Sequence, residues 1–129
     1  MSGPTSPSLA YTDPTPVGRV AAAFPSLPVV CFHGFYPYVN EIIGVAFRHA
    51  NVFVVPDMYL FLPGGGLYVE AGNGFLRDQL LFGTSYPFRA MKQTVDDFIA
   101  LGWRDEVLDL VLYKNAERVL GLEGRGVGG

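Results

Sequence analysis

The chain has 129 residues, half of them apolar and only 16% charged, which is enough for one domain with one core but well below the roughly 25% charge of an average soluble domain. The net charge is -3 and the nine basic residues form no run, which argues against nucleic acid or an anionic membrane as the main partner. The composition suits an α/β domain whose strands are covered on both faces, or a piece of a larger protein that covers apolar surface elsewhere.

The opening MSGPTSPS has neither a basic n-region nor an apolar h-region, so no signal peptide is expected. The longest apolar stretch, from Val20 to Phe32, is broken by Pro25, Ser26 and Pro28 and is too short for a membrane span. A soluble, cytoplasmic chain is the expectation. Cys31 is the single cysteine; it lies inside an apolar run and reads as a buried free thiol.

Residues 1–12 are rich in Ser, Thr and Pro and read as a loop or flexible segment. Asp13-Pro14 is a helix start, because Asp can cap and Pro is tolerated in the first turn. Val17, Val20, Ala21 and Phe24 then mark a helix face, which Pro25 ends. The run LPVVCF, residues 27–32, predicts a buried parallel strand. After His33-Gly34 and a loop containing Pro37, a second helix carries Val39, Ile42, Ile43, Ala46 and Phe47 on one face. Arg48 and His49 sit in its last turn, where positive charge suits the helix dipole.

VFVV, residues 52–55, predicts a second buried strand. Residues 56–66 read as a long loop with three glycines, and residues 67–71 as a short helix. Residues 80–82 predict a third strand. Met91, Val95, Phe98 and Ile99 mark the next helix. A final helical region runs from Asp105 to Leu120 with a break near Asn115, and Gly121 is placed to end it. Residues 124–129, GRGVGG, read as a flexible tail. Helices alternating with short, wholly apolar strands imply βαβ units and a parallel sheet.

In parallel α/β folds, ligands bind outside the carboxyl ends of the strands. There the sequence places His33-Gly34, Pro56-Asp57 and Gly83-Thr84-Ser85. Among these, VVCFHGFYPYVNEIIGVAFRHANVFVV resembles the sixth and seventh strands of the amidohydrolase-related, metal-dependent hydrolases. LLFGTSYPF resembles their eighth strand, which usually reads F-G-[ST]-D-Y-P. KNAERVLGL resembles their closing Asn-Ala-x-x-x-Leu segment. The resemblance covers residues 13–122 and implies the C-terminal half, about strands six to eight, of a (β/α)8 barrel. A TIM-type barrel of this kind usually has about 250 residues. Residues 13–123 are then that half-barrel.

The resemblance also implies a divalent metal, zinc or manganese, held by a His-x-His or Glu-x-His pair on the first strand, a His near the fifth, and the Asp after the eighth. The first two would lie upstream of this sequence, and Ser85 stands where the Asp would be. A serine hydroxyl is neutral and replaces a carboxylate poorly, both as a hard ligand and as a proton acceptor. The two histidines, His33 and His49, lie at opposite ends of one helix, roughly 15 Å apart at about 1.5 Å rise per residue, and cannot share a metal. No metal or other cofactor is expected in the isolated chain.

His33 is the leading catalytic candidate. The matching histidine in the family faces the active site, where it binds metal in some branches and acts as an acid or polarising group in others. The alternative is a histidine held by hydrogen bonds within a loop. Ser85 is the second candidate, by position. His49 reads as a helix-end residue. Asp57 can cap or bind a ligand, although Pro56 before it favours a plain turn. Gly64-Gly65-Gly66 lacks the spacing of a dinucleotide fingerprint and suits a flexible loop over the barrel mouth. Tyr36, Tyr59, Phe61 and Tyr86 could line an aromatic pocket or simply pack.

The expected function is therefore a C-terminal fragment of a metal-dependent hydrolase or non-oxidative decarboxylase. Its substrate would be a small carboxylated or cyclic molecule, and the fragment would be inactive alone. The rival is a non-catalytic half-barrel that binds a small molecule or assembles with a partner chain. Either version is expected to self-associate or to pair with a chain supplying the N-terminal half-barrel.

Overall fold

The computed structural model describes residues 8–122. The readings of residues 1–7 and of the tail at 124–129 lie outside them. A 3-10 turn, Leu9–Thr12, precedes the first helix and buries Thr12, whose hydroxyl donates to the Leu9 carbonyl at 2.8 Å. The helices are α1 Thr15–Ala23, α2 Val39–Arg48, α3 Gly66–Gly72, α4 Met91–Ile99, α5 Asp105–Asp109 and α6 Asn115–Val119. The strands are β1 Val29–Phe32 and β2 Val52–Val55. No helix among the described residues is long and apolar enough to cross a membrane.

β1 and β2 pair in parallel, from Val29 opposite Val52 to Phe32 opposite Val55. The third apolar run joins them through one parallel bridge only, Val54 to Leu80. Val54 donates its N–H to the Gln79 carbonyl at 2.8 Å and accepts from Leu81 at 2.9 Å. The next residue aimed at that neighbour is Pro56, just past β2, which has no N–H to give, so the ladder stops after one rung. The expected third strand is thus an extended segment held by a single bridge.

Strand alternation divides the apolar side chains into two sets. Cys31, Val52, Val54 and Leu80 turn toward the helices and join Ala21, Ile42, Ala46, Tyr68, Phe98 and Val107 in the main core. Burial raises the pKa of the Cys31 thiol to about 12. Val30, Phe32, Val55 and Leu81 line a cavity on the opposite face of the sheet. Phe32 there is 65% exposed.

Several helix faces differ from the sequence pattern. In α1, Val20 and Phe24 are exposed and Ala21 is buried. The helix meets α2 through Gly18, where an added Cβ would stand 3.8 Å from Val45 and from His49 Nε2. Small residues at that seam let the helices approach, and the larger ones are left outside. In α2, Val39, Ile42 and Ala46 are buried but Phe47 is exposed and meets Phe75 edge-on. In α4 the buried residues are Thr94 and Phe98, while Met91 and Ile99 are exposed. Thr94 can be buried because its hydroxyl donates to the Ala90 carbonyl and accepts from Arg89.

The stretch read as a long loop is ordered: a 3-10 turn spans Asp57–Phe61, and Gly66 opens α3. Gly65 packs where any Cβ would strike the Leu60 carbonyl. The break expected near Asn115 is a π-helical turn, Leu110–Lys114, that joins α5 to α6 without interruption. Gly121 ends α6 at φ +70° in a Schellman motif: its N–H bonds Arg118, and the Leu122 N–H bonds Glu117.

Three side-chain amides fasten the framework by collecting backbone carbonyls. Asn51 donates to Ala21, Phe24 and Leu27 at the end of α1. Gln79 donates to Ala46, His49 and Val52 around the end of α2. Fully buried Asn115 donates to Arg77 at 2.6 Å and Leu80 at 2.9 Å, tying α6 to the third segment. Asn115→Ala leaves those carbonyls without their donor, and a loss of about 1–3 kcal/mol is expected. A denaturant melt checks it; an unchanged midpoint would mean that α6 is held in another way.

Candidate active site

Each of the three parallel segments ends in a residue of left-handed backbone. His33 has φ +63°, Asp57 φ +44° and Ser85 φ +59°. Such a conformation costs a non-glycine residue roughly 1–2 kcal/mol, and clusters of it mark places where geometry serves something other than stability. The reason for the arrangement is visible in the contacts. All three side chains meet at one carboxylate.

Asp57 is 5% exposed. Its Oδ1 accepts from Ser85 Oγ at 2.7 Å and from the Met58 N–H at 2.8 Å. Its Oδ2 accepts from the His33 N–H at 3.2 Å. The His33 ring nitrogen Nδ1 straddles both oxygens, at 3.2 Å from Oδ1 and 3.1 Å from Oδ2. Ser85 Oγ in turn lies 3.0 Å from the Met58 N–H. Asp57, read from sequence as able to cap or bind a ligand but more in keeping with a plain turn, is the centre of the cluster. Its partners are 24 and 28 positions away in sequence, so no local motif could reveal it.

Neighbouring residues fix this geometry. Gly34, at φ +57°, lies against Tyr68, where a Cβ would stand 2.7 Å from the phenol oxygen. Tyr68 donates to the Gly34 carbonyl at 2.8 Å, and its burial raises its pKa. At Gly83 a Cβ would stand 2.9 Å from Val55 Cγ1 and 3.4 Å from Asp57 Cβ. The lack of a side chain there lets the third segment pass close to Val55, at the end of β2. Tyr59 meets the His33 ring edge-on and stacks on Tyr36 at 4.9 Å. Burial, then the Asp57 charge, then Tyr36 raise the Tyr59 pKa.

The cluster opens on the cavity of about 590 Å³ beside the sheet. His33, Asp57 and Ser85 supply its polar corner; Val30, Phe32, Leu81, Val119 and Leu120 are among its apolar walls. Of the four aromatics considered from sequence, only Tyr86 lines it. Tyr36 and Tyr59 stack behind His33, and Phe61 packs under the Arg89 guanidinium at 4.1 Å. His49 stands apart as the residue that closes α2.

A metal does not fit these residues by themselves. No group of three or more His, Cys, Asp or Glu among the described residues could hold one. The one carboxylate present already accepts from Ser85, Met58 and His33. His33 Nε2 is the ring nitrogen left for the cavity.

The family model described as Amidohydrolase matches residues 4–122. No curated protein matches the chain. Among solved structures, the chain is similar to the crystal structure of an uncharacterised TIM-barrel protein from Bordetella bronchiseptica, at 43% identity and a TM-score of 0.87. The match covers 96% of this chain and 44% of that one, so this chain spans less than half the length of that relative.

Ser85→Asp would set a second carboxylate against Asp57 and remove the hydroxyl that donates to it. The variant is expected to be less stable by about 1–3 kcal/mol at neutral pH, from lost hydrogen bonding and like-charge repulsion. Thermal or chemical melts measure this. Equal or greater stability would show that position 85 does not face Asp57.

Proposed function

The chain belongs to the amidohydrolase family, and we propose that it forms about strands six to eight, with their helices, of a (β/α)8 barrel. In this reading the barrel hydrolyses or non-oxidatively decarboxylates a small carboxylated or cyclic substrate. The supporting observation is the hydrogen-bonded His33–Asp57–Ser85 cluster at the mouth of an apolar cavity. His33 touches the substrate; Asp57 and Ser85 hold it in place.

The chemistry assigned to this chain is proton handling at His33 Nε2. In a decarboxylation, imidazolium Nε2–H gives its proton to the substrate carbon as the bond to the carboxyl breaks and carbon dioxide leaves. The neutral ring then regains a proton from water. In a hydrolysis, water adds to the scissile carbon as the bond to the leaving group breaks; the same nitrogen protonates the leaving group and regains a proton from that water. The apolar walls seat the body of the substrate and lower the local dielectric, which strengthens the polar contacts. The family's metal chemistry is not assigned to these residues.

The cavity-lining face of the sheet, with exposed Phe32 at its rim, is where the other barrel strands would pack. In the same reading, that half is supplied by a partner or by further chain, and the isolated chain does not turn over substrate. A second reading, a non-catalytic half-barrel that binds a small molecule or associates through this face, draws on the same open apolar cavity.

Co-expression with the part of the Bordetella protein outside the match separates the two. The catalytic reading expects co-purification, and either carbon dioxide release or hydrolysis on a panel of small aromatic acids and cyclic amides. His33→Ala is expected to lower that rate by roughly 10²–10⁴-fold. A complex without turnover would favour the non-catalytic reading. Turnover by the isolated chain, or by the complex with His33→Ala at full rate, would contradict the catalytic one.

A further inference from the structure

Resting on the reading of His33 as the group that meets substrate, we propose that Asp57 is a positioning residue. It holds His33 in one tautomer, with the proton on Nδ1 and the lone pair of Nε2 presented to the cavity. Ser85 acts one step further back, by holding Asp57.

A carboxylate offers about four lone-pair sites and no donor. Here the Ser85 hydroxyl and the Met58 N–H occupy Oδ1, and the His33 N–H occupies Oδ2. The imidazole Nδ1 approaches both oxygens at once. An acceptor at Nδ1 would set a lone pair against those of the carboxylate, so Nδ1 must be the donor. The neutral ring then has a single free acceptor, Nε2.

Exposure separates the roles of the two residues. The Asp57 side chain is 6% exposed and that of His33 is 49% exposed. With its oxygens engaged and covered, Asp57 has no capacity left for a ligand and acts through the imidazole. The backbone supports the same assignment. The His33 main chain donates to the very carboxylate that holds its ring, so the turn and the side chain are fixed together. Left-handed backbone at residues 33, 57 and 85 turns each side chain back toward this point. Gly83, where a Cβ would stand 2.9 Å from Val55 Cγ1, lets the segment that carries Ser85 pass close to the end of β2.

The tautomer decides which ligand atoms the site accepts. Neutral His33 takes a hydrogen bond from an acid, phenol or amide donor at Nε2. Protonated His33 returns a proton from the same nitrogen, without rotation of the ring. An unheld imidazole in water favours the opposite tautomer, so the fixed form is a specific signature of Asp57.

Long-range ¹H–¹⁵N correlation of the ¹⁵N-labelled chain, followed into alkaline buffer until the ring signals no longer move, reads the tautomer directly. A His49→Gln sample assigns the two rings. His33 is expected to show a protonated Nδ1 and an unprotonated Nε2. In Asp57→Ala the majority is expected to pass to the Nε2–H form, with His49 unchanged. If Asp57→Ala does not fold, the wild-type spectrum still decides. A majority Nε2–H form of His33 in the wild type, or a majority Nδ1–H form kept in folded Asp57→Ala, would overturn the proposal. The readout needs no turnover, so it stands or falls apart from the catalytic reading.

Discussion

The Asp57 carboxylate is the point on which the functional end of this molecule depends. It sits at the end of β2 and accepts from groups that follow β1 and the third extended segment. The sheet itself gives little coherence there. Its third member is held by one bridge, and the ladder stops where Pro56 has no N–H to offer. Beyond that point the carboxylate takes over from the backbone as the link between segments. A buried carboxylate is tolerable only when its oxygens are satisfied, and here the donors that satisfy it are the candidate site residues. Fold and site therefore share one set of hydrogen bonds.

The two ends of the sheet are built differently. Near the strand starts, Asn51 and Gln79 gather the carbonyls that α1 and α2 leave unpaired. These contacts are neutral amides bonded to backbone, suited to holding elements in place. At the strand ends, left-handed backbone, an imidazole and a carboxylate converge on an open apolar cavity. Barrel folds commonly divide their labour in this way, with stability at one rim and chemistry at the other.

Much of the framework was legible because it follows from local rules. VFVV is β2, the apolar spacing from Val39 gave α2 its core side, and Gly121 closes α6 as its freedom at positive φ allows. The family was legible too, in three stretches taken in order. The helix faces were read less well. Val20, Phe24, Phe47, Met91 and Ile99 are exposed although their spacing suggested burial. Spacing ranks residues by hydrophobicity, whereas a close seam such as that at Gly18 and Ala21 selects small ones. The stretch around Asp57 was misread for another reason. Pro56 suggested a plain turn, and the residues that define Asp57 lie two dozen or more positions away. His33 was singled out by the family resemblance and Ser85 by position; that they meet through a third residue is visible only in three dimensions.

If one carboxylate unites the site, its two side-chain partners cannot act independently. A double-mutant cycle in denaturant unfolding, with His33→Ala, Ser85→Ala and the pair, measures this in the chain as it stands. Both side chains bond to Asp57, so the account predicts a coupling of roughly 0.5–3 kcal/mol between them. Additivity within about 0.5 kcal/mol would contradict it, and would mean that the two strand ends are held separately.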